Sequence, residues 1–362
     1  MAKFYCPHCM MEYNKNKVQF YCASCDNVVT PPMFYKEPLR CYCGNIAAVR
    51  RCPSCEAEIP RTVLQFPYMP FSIIGVSNSG KSNYITVMLN ELSNAHNLNL
   101  SLSSLTPQTE EHQKANYNRI YIKKQPVAST RSGSTEAQIW CIRNLNRKTG
   151  SHVYTSTFTI YDSAGEDIEN HLELSSPLCR YINQSRGIIL CLDPLILPGV
   201  LRDNCISETV VRNSLGGNEA KSKNSAKVVN DAAEYIKTIK GISPALTLDL
   251  PVAIVLTKFD TLLSHPAFAK DALVKKHSMV IRDGVVSRSE ITQIHDEIIH
   301  FLREIGEGGF INALNAQFKD YSLFGVSSFG APPRIGNTLN DINPHRVLDP
   351  MLWLLKKFGF VD

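Results

Sequence analysis

The pattern of hydrophobic and polar positions changes near residue 71 of this 362-residue chain. Before that point, short aromatic stretches lie between cysteine pairs and show little helical periodicity. After it, apolar runs of strand length alternate with amphipathic segments of helical length. Strands that are separated by helices predict an α/β domain, in which a mostly parallel sheet is covered by helices on both faces.

The predicted elements of this second part begin with a strand at residues 71–74 and a helix at residues 81–95. Further strands are predicted at residues 138–142, 155–161, 187–192, 252–256 and 321–326, and further helices at residues 226–239, 290–305 and 349–358. The polar stretch 213–227 is predicted to be a surface insertion, and residues 60–70, with three prolines, an extended linker. The chain is therefore divided into a cysteine-rich module at 1–62, a linker at 63–70 and an α/β domain at 71–362.

Composition excludes several classes of protein. A hydrophobic content of 44% and a charged content of 20% are those of a folded chain, not of a disordered or fibrous one. No segment reaches the roughly 18 uncharged apolar residues of a membrane helix, because Asp193 and Pro194 interrupt the longest candidate. The first residues lack the apolar core of a signal peptide. We therefore predict a cytoplasmic protein.

The segment that joins the first strand to the first helix reads GVSNSGKS over residues 75–82, which fits the phosphate-loop pattern G-x-x-x-x-G-K-[ST]. Glycines let the backbone wrap a phosphate, and successive N–H groups with the helix amino end supply positive potential. We expect Lys81 to reach the β- and γ-phosphates and Ser82 to ligate Mg²⁺. The predicted nucleotide-binding residues here are Gly75, Ser77, Asn78, Ser79, Gly80, Lys81, Ser82 and Asn83.

Three later fragments at strand ends indicate which nucleotide is bound. The sequence DSAG at 162–165 would place Asp162 beside Mg²⁺ and the Gly165 N–H near the γ-phosphate. The sequence TKFD at 257–260 ends in Asp260, whose carboxylate can accept hydrogen bonds from N1–H and N2–H₂ of guanine. Adenine lacks that pair of donors and would leave the aspartate unpaired. Ser327 and Ser328 can present a backbone N–H to the guanine O6.

With GVSNSGKS, DSAG, TKFD and VSS (326–328) in this order, the chain resembles the TRAFAC-class GTPases over about residues 66–330. It is similar in particular to bacterial double-GTPase-like proteins with an amino-terminal zinc ribbon, which are thought to act as switch components of multi-protein systems, including defence-type systems. The resemblance implies binding of GTP or GDP with Mg²⁺, GTP hydrolysis and a protein partner. It also implies that Thr257 and Lys258 contact the nucleotide site, with Thr257 in place of the usual Asn.

Two residues depart from the common GTPase pattern. Glu166 stands where many GTPases have the Gln that orients the attacking water, and its carboxylate would repel the γ-phosphate, so we expect hydrolysis that is slow or differently organised. Alternatively, Glu166 is a solvent-facing switch residue. Asn78 resembles the Asn that helps to hold K⁺ in GTPases that use this ion instead of an arginine finger. Alternatively, Asn78 only shapes the loop.

The first switch is predicted to contain a threonine that closes over Mg²⁺ in the triphosphate state. The candidates are Thr106, Thr109, Thr130 and Thr135, and we favour Thr130 because it precedes the predicted second strand. Arg131 is either an internal arginine finger or an exposed loop cation. The catalytic residues are thus predicted to be Lys81, Thr130 and Glu166.

Eight of the 12 cysteines fall within the first 55 residues, as Cys6, Cys9, Cys22, Cys25, Cys41, Cys43, Cys52 and Cys55. Close pairs in a chain without an export signal predict two structural four-cysteine Zn²⁺ sites rather than disulfides or redox pairs. Sequential pairing of the two halves is the simple interpretation, and a cross-braced pairing of Cys6 and Cys9 with Cys41 and Cys43 stays open. Gly44 is expected to relieve the one-residue gap of the third pair, and His8 to be a neighbour rather than a ligand.

Charge favours a protein partner for the module over nucleic acid. Residues 1–65 carry a net +3 before metal binding. Two zinc ions with eight thiolates contribute about −4, which leaves the module near −1 and lowers the formal +5 of the chain to about +1. That is a poor match for a phosphate backbone.

The sequence thus predicts a GTP-hydrolysing switch whose zinc ribbons recognise a protein. Three alternatives stay open: an ATP-using phosphate-loop protein, which would have no use for Asp260, a nucleotide-stabilised adaptor that does not hydrolyse GTP, and a zinc-ribbon nucleic-acid-binding protein.

Overall fold

The computed structural model describes residues 3–32, 37–76, 78–128, 137–149, 152–162, 176–203, 205, 224–277, 281–282, 285–334 and 336–362. Outside them lie Ser77, Thr130, Arg131, Thr135, Gly165 and Glu166. Most of the predicted insertion at 213–227 also lies outside, and its last residues, from Ser225, already belong to a helix.

The amino-terminal module consists of short antiparallel strands around a small core. Its strands are β1 (Lys3–Tyr5), β2 (Glu12–Asn14), β3 (Gln19–Tyr21), β4 (Val28–Val29), β5 (Leu39–Arg40), β6 (Ile46–Ala47) and β7 (Val49–Arg51). β1 pairs with β2, β5 pairs with β6, and β3 lies between β4 and β7. Phe4, Val18, Phe20 and Ile59 pack with buried cysteines at the centre. Such a small apolar core is typical of domains that a metal stabilises.

The predicted extended linker is helical in its first half. Helix α1 (Arg61–Gln65) begins directly after Pro60, because proline restricts the residue before it and not the residues that follow. Val63 and Leu64 are buried in the core of the module, and this packing stabilises the helical turn. Only the segment from Pro67 to Pro70 runs extended, and Thr157 donates to and accepts from its backbone at 2.9 and 2.7 Å.

The second part of the chain is built on two larger sheets. Its strands are β8 (Ser72–Gly75), β9 (Leu100–Ser104), β10 (Ala137–Thr149), β11 (His152–Tyr161), β12 (Ile188–Leu192), β13 (Leu248–Leu256), β14 (Ile281–Arg282), β15 (Val285–Val286) and β16 (Phe318–Gly325). Of these, β14 and β15 form a separate antiparallel pair. The first sheet is parallel throughout, in the order β16-β13-β12-β8. Every residue of β8 and β12 is buried. Because successive side chains point to opposite faces, both faces of this sheet are covered, as predicted.

The other sheet is antiparallel, in the order β11-β10-β9. β11 lies next to the segment that enters β8, through a parallel bridge between Tyr68 and Thr157. The parallel architecture predicted from the sequence therefore holds for one sheet, and an antiparallel sheet adjoins it. β9 was not predicted, since its sequence LSLSS is only partly buried and lacks an apolar run.

The helices that follow α1 are α2 (Lys81–Asn94), α3 (Pro107–Tyr117), α4 (Pro177–Gln184), α5 (Pro198–Arg202), α6 (Ser225–Lys240), α7 (Arg288–Glu304), α8 (Gly308–Gln317) and α9 (Asp349–Lys357). α3 was not predicted, because its sequence is polar and shows no apolar periodicity; its buried residue is Thr109. The four parallel strands point their carboxyl ends in one direction, which gathers the loops that follow β8, β12, β13 and β16 at one edge.

Candidate nucleotide site and zinc clusters

The loop between β8 and α2 turns so tightly that two positions require glycine. A Cβ on Gly75 would lie 2.5 Å from the Ser79 Oγ and 3.2 Å from the Cβ of Cys191. Gly80 has a φ of 73°, and Asn78, which is exposed, also has a left-handed φ of 62°. Left-handed residues curl the loop, and a loop of this kind can turn successive backbone N–H groups toward an anion.

Lys81 and Asp162 meet at the mouth of this loop. Lys81 is the first residue of α2, Asp162 directly follows β11, and the ammonium group forms an ion pair with the Asp162 carboxylate. The Lys81 side chain is buried and that of Asp162 nearly so. The Asp162 carboxylate and the hydroxyl of Ser82, the residue after Lys81, are oxygen donors of the type that Mg²⁺ takes together with phosphates, so these residues fit the ion.

Thr257 joins the TKFD loop to the phosphate loop. Its Oγ1 donates to the Ser79 carbonyl at 2.6 Å and also lies 3.1 Å from the Leu192 carbonyl. Thr257 is buried, so these contacts are shielded from water. The loops after β8 and β13 are thereby held together by one hydroxyl.

Lys258 is anchored by a residue that sequence reasoning missed. Its Nζ forms an ion pair of 2.7 Å with Oδ2 of Asp193, which is fully buried at the end of β12. Lys258 also has a left-handed φ of 49°, an uncommon conformation for a lysine. The sequence does contain a signal for Asp193, since a carboxylate directly after an apolar strand is typical of a site residue. In the sequence alone, however, Asp193 stands out first because it interrupts an apolar run.

Asp260 lies beside the loop that follows β16. Burial raises the pKa of the Asp260 carboxyl, and a hydrogen bond from Ser327 opposes that rise. Ser327 is held in turn by two backbone hydrogen bonds with His345, at 3.0 and 2.8 Å. The Phe259 N–H donates to the Val326 carbonyl at 3.0 Å, which places TKFD next to VSS, and Ser328 follows half-buried. The two motifs proposed to contact guanine are thus neighbours.

The Asn83 side chain forms a hydrogen bond with the backbone of a later segment of the chain. Its Oδ1 accepts a hydrogen bond of 2.8 Å from the backbone N–H of Val127, directly before the segment in which the switch threonine was predicted. Two of the other candidate threonines also make hydrogen bonds within the protein. Thr106 caps α3 by accepting from the Thr109 N–H at 3.2 Å, and the Thr109 hydroxyl accepts from the Ile139 N–H at 2.9 Å.

The eight amino-terminal cysteines form two clusters. The first cluster contains Cys6, Cys9, Cys52 and Cys55, and the second cluster contains Cys22, Cys25, Cys41 and Cys43. Neighbouring sulfur atoms lie 3.5–3.8 Å apart. A tetrahedron with Zn–S bonds of about 2.3 Å has sulfur separations of about 3.8 Å, so each cluster fits a zinc ion.

This nested pairing corrects both pairings considered from the sequence, the sequential one and the cross-braced one. The reason is the register of β3 and β7, which run antiparallel with Gln19 opposite Arg51 and Tyr21 opposite Val49. The turn that follows β3 and the turn that follows β7 therefore lie at opposite ends of the pair. Cys22 comes to lie near the hairpin of β5 and β6, and Cys52 near the turn that contains Cys6.

Each cysteine turn has the same backbone design. The residue after the second cysteine is left-handed, with φ of 56° at Met10, 54° at Asp26, 57° at Glu56 and 86° at Gly44. Its N–H donates to the carbonyl of the first cysteine at 2.9–3.0 Å. The shortened third turn has the most open angle, and it has glycine there, as predicted.

His8 lies outside both clusters, as expected, and its Nε2 is 3.1 Å from the Glu58 carbonyl. A third group brings Asp203, Cys205 and His265 together. The Nδ1 of His265 accepts a hydrogen bond from the Ala267 N–H, so its Nε2 carries the proton and donates to Asp203 at 2.7 Å. A histidine that binds a metal through one ring nitrogen donates a hydrogen bond through the other. In His265, Nδ1 accepts a hydrogen bond and Nε2 carries the proton, so its hydrogen bonds are not those of a metal ligand.

A glycine-lined phosphate loop, a paired lysine and aspartate at its mouth, and a TKFD loop joined to it define a phosphate-loop domain of the GTPase class, preceded by a module with two zinc-type cysteine clusters. The chain belongs to the Double-GTPase 1 family, whose model matches residues 72–282, more than half of the chain.

One relative extends the comparison beyond the family model. The chain is 22% identical over 335 residues to a protein of Mycolicibacterium smegmatis that carries, provisionally, the name ESX-1 scaffolding and assembly protein SaeC. The alignment covers 86% of this chain and 80% of that relative. None of the described helices combines the length and the apolar character that crossing a membrane requires.

Proposed function

We propose that this protein is a GTP-binding switch that hydrolyses GTP and reports its nucleotide state to a protein partner within a multi-component assembly. The observation that carries the proposal is the hydrogen bond from Thr257 to the Ser79 carbonyl. It joins the loop of Asp260, the group suited to guanine, to the loop suited to phosphates. A single bound GTP would span both.

The residues at the phosphate end have distinct roles in this proposal. The loop N–H groups and the Lys81 ammonium bind the phosphates, and Ser82 and Asp162 hold Mg²⁺. When bound, Mg²⁺ supplies positive charge that stabilises the phosphoryl oxygens. For Lys81 and Asp162 to do so, their mutual ion pair must open, so nucleotide binding exchanges one set of charge contacts for another.

The remaining site residues belong to the same proposal. Thr130 closes over Mg²⁺, Gly165 contacts the γ-phosphate, and Glu166 keeps intrinsic hydrolysis slow. Asn78 holds K⁺, so equal hydrolysis rates in K⁺ and Na⁺ buffers would remove that assignment. A chain with tight GTP binding and no turnover in either buffer would instead be a nucleotide-stabilised adaptor.

A protein partner is supported by two observations. The relative from M. smegmatis is named for scaffolding and assembly, a role that requires protein contacts. In the zinc module, Val28, Tyr42 and Ile46 are exposed around the second cluster, and Tyr42 is fully exposed. We infer that these exposed apolar side chains, each close in sequence to a cysteine of one cluster, offer contact sites for a partner.

The test is nucleotide specificity at Asp260, with zinc content measured on the same preparations. In Asp260→Asn, GTP affinity should fall by about 10²-fold or more, because two charge-assisted hydrogen bonds are worth about 1.5–3 kcal/mol each. XTP should gain affinity, because the Asn amide can donate to the xanthine oxygen. Asp249→Asn is the matched control, since Asp249 is exposed at the opposite end of the same strand, β13. Preference of the wild type for ATP would contradict the proposal.

A further inference from the structure

The first cluster contacts the strand end that leads into DSAG. Tyr161 is the last residue of β11 and directly precedes Asp162. Its hydroxyl lies 2.9 Å from the Pro7 carbonyl and 2.7 Å from the His8 carbonyl, the two residues between Cys6 and Cys9. Tyr161 is 1% exposed, so its hydroxyl hydrogen is shared between these carbonyls in a site without access to solvent.

A second contact reaches the same cysteine turn from helix α4. Arg180 lies in α4, the first element described after the segment that starts with DSAG, and its Nη1 donates to the Cys9 carbonyl at 3.0 Å. The rings of Tyr161 and Tyr181 pack with centroids 4.8 Å apart, which links the two contacts. The turn from Cys6 to Cys9 is therefore held both by the end of β11 and by α4.

The cysteine turn is a suitable anchor because its own shape is fixed. The Met10 N–H donates to the Cys6 carbonyl at 2.9 Å, and the Cys6 N–H donates to the Met11 carbonyl at 2.9 Å. Met10 is buried in the core of the GTPase domain rather than in that of the module. A zinc ion held by Cys6 and Cys9 would further lock this turn against Cys52 and Cys55.

The second cluster differs. As far as the structure describes them, its turns hydrogen-bond within the module: Cys22 N–H to Asn27, Cys41 N–H to Asn45, and Arg40 to the Gly44 carbonyl. The two clusters, alike in ligands, are thus placed differently with respect to the nucleotide site.

We propose that the first cluster braces the end of β11 and helix α4, with Tyr161 and Arg180 as positioning residues, so that nucleotide state and metal retention at this cluster are coupled. The nucleotide side of the proposal rests on the proposed function. If a bound triphosphate and Mg²⁺ shift Asp162, they also shift Tyr161, its neighbour in the chain. The hydrogen bonds between the Tyr161 hydroxyl and the Pro7 and His8 carbonyls then change. Coupling is reciprocal, so loss of metal from the first cluster changes affinity for the nucleotide by the same factor.

The experiment uses the full chain with Cys25→Ser, which removes the second metal site, so that released zinc comes from the first cluster. Zinc transfer to a chromogenic chelator is timed without nucleotide, with GDP, and with a non-hydrolysable GTP analogue. The release rate should differ at least about 5-fold between the two nucleotides. In Tyr161→Phe this difference should disappear, although the ring packing and the starting zinc content are retained.

Two further variants separate positioning from general destabilisation. Arg180→Gln should weaken the nucleotide dependence, and Arg180→Lys should restore part of it, because lysine can still donate to the Cys9 carbonyl. Tyr154→Phe, on the same strand, should leave it unchanged. Without nucleotide, Tyr161→Phe should still release zinc several-fold faster, because two buried carbonyls lose their donor.

The outcomes distinguish this proposal from the proposed function. A wild type that binds GTP but releases zinc at one rate in every nucleotide state overturns the coupling and leaves the switch proposal standing. A wild type that does not bind GTP overturns the proposed function. The release rate of Tyr161→Phe without nucleotide then decides whether the brace exists, and a rate equal to that of the wild type rejects it.

Discussion

The hydrogen bond between the TKFD loop and the phosphate loop can be tested by Thr257→Val, which replaces the hydroxyl with a methyl group of similar size. Thr257 is 3% exposed, so water cannot replace the lost donor. The Leu192 carbonyl keeps the Thr257 N–H as a partner at 2.9 Å, whereas the Ser79 carbonyl loses the donor at 2.6 Å. One buried acceptor without a partner costs about 1–3 kcal/mol.

The cost should fall mainly on the nucleotide-bound state, in which both loops must hold one ligand together. We expect the GTP dissociation constant to rise by about 5- to 150-fold, measured by equilibrium titration with a fluorescent GTP analogue. The control is Thr155→Val, because the Thr155 hydroxyl donates to the Val153 carbonyl at 2.8 Å, also in a buried position, but at the far end of β11. Equal GTP affinity of the two variants, at equal stability in urea, would refute the reasoning.

Two further predictions concern the metal clusters and pH. Cys25→Ser should lower the zinc content from two ions to about one per chain by mass spectrometry, whereas Cys141→Ser, at a buried cysteine outside both clusters, should retain two. If Cys25→Ser also kept both ions, Cys25 would be rejected as a zinc ligand. Burial lowers the pKa of His345 to about 4, below the value of about 6.5 expected when unfolded, so the unfolded chain takes up the proton first as the pH falls. Protonation of His345 should therefore lower the free energy of unfolding by about 3 kcal/mol between pH 6.5 and pH 4. In urea titrations, His345→Gln should lose about 3 kcal/mol less than the wild type over this range. The prediction is contradicted if the free energies of unfolding of the two proteins fall in parallel with pH.

Much of the candidate nucleotide site could be located in the sequence because its parts are local. The phosphate loop is one continuous stretch, and its glycines are required by backbone geometry within eight residues. TKFD and VSS each follow a buried strand, and parallel strands bring their carboxyl ends together. The apolar runs that mark those strands stand out in the amino-acid sequence, whereas β9 and α3 do not, because they have few buried apolar residues.

The sequence by itself determined that eight cysteines would form two zinc-type sites, because ligand type and close spacing within each pair are local properties. Only the tertiary structure decided which pairs share a site, since the antiparallel register of β3 and β7 separates turns that are interchangeable in the sequence. The tertiary structure alone also decided two other features. These are the ion pair of Asp193 with Lys258 and the contacts of Tyr161 and Arg180 with the first cluster. Each joins residues that are 65 to 171 positions apart, and no periodicity or spacing encodes a contact that depends on how whole elements pack.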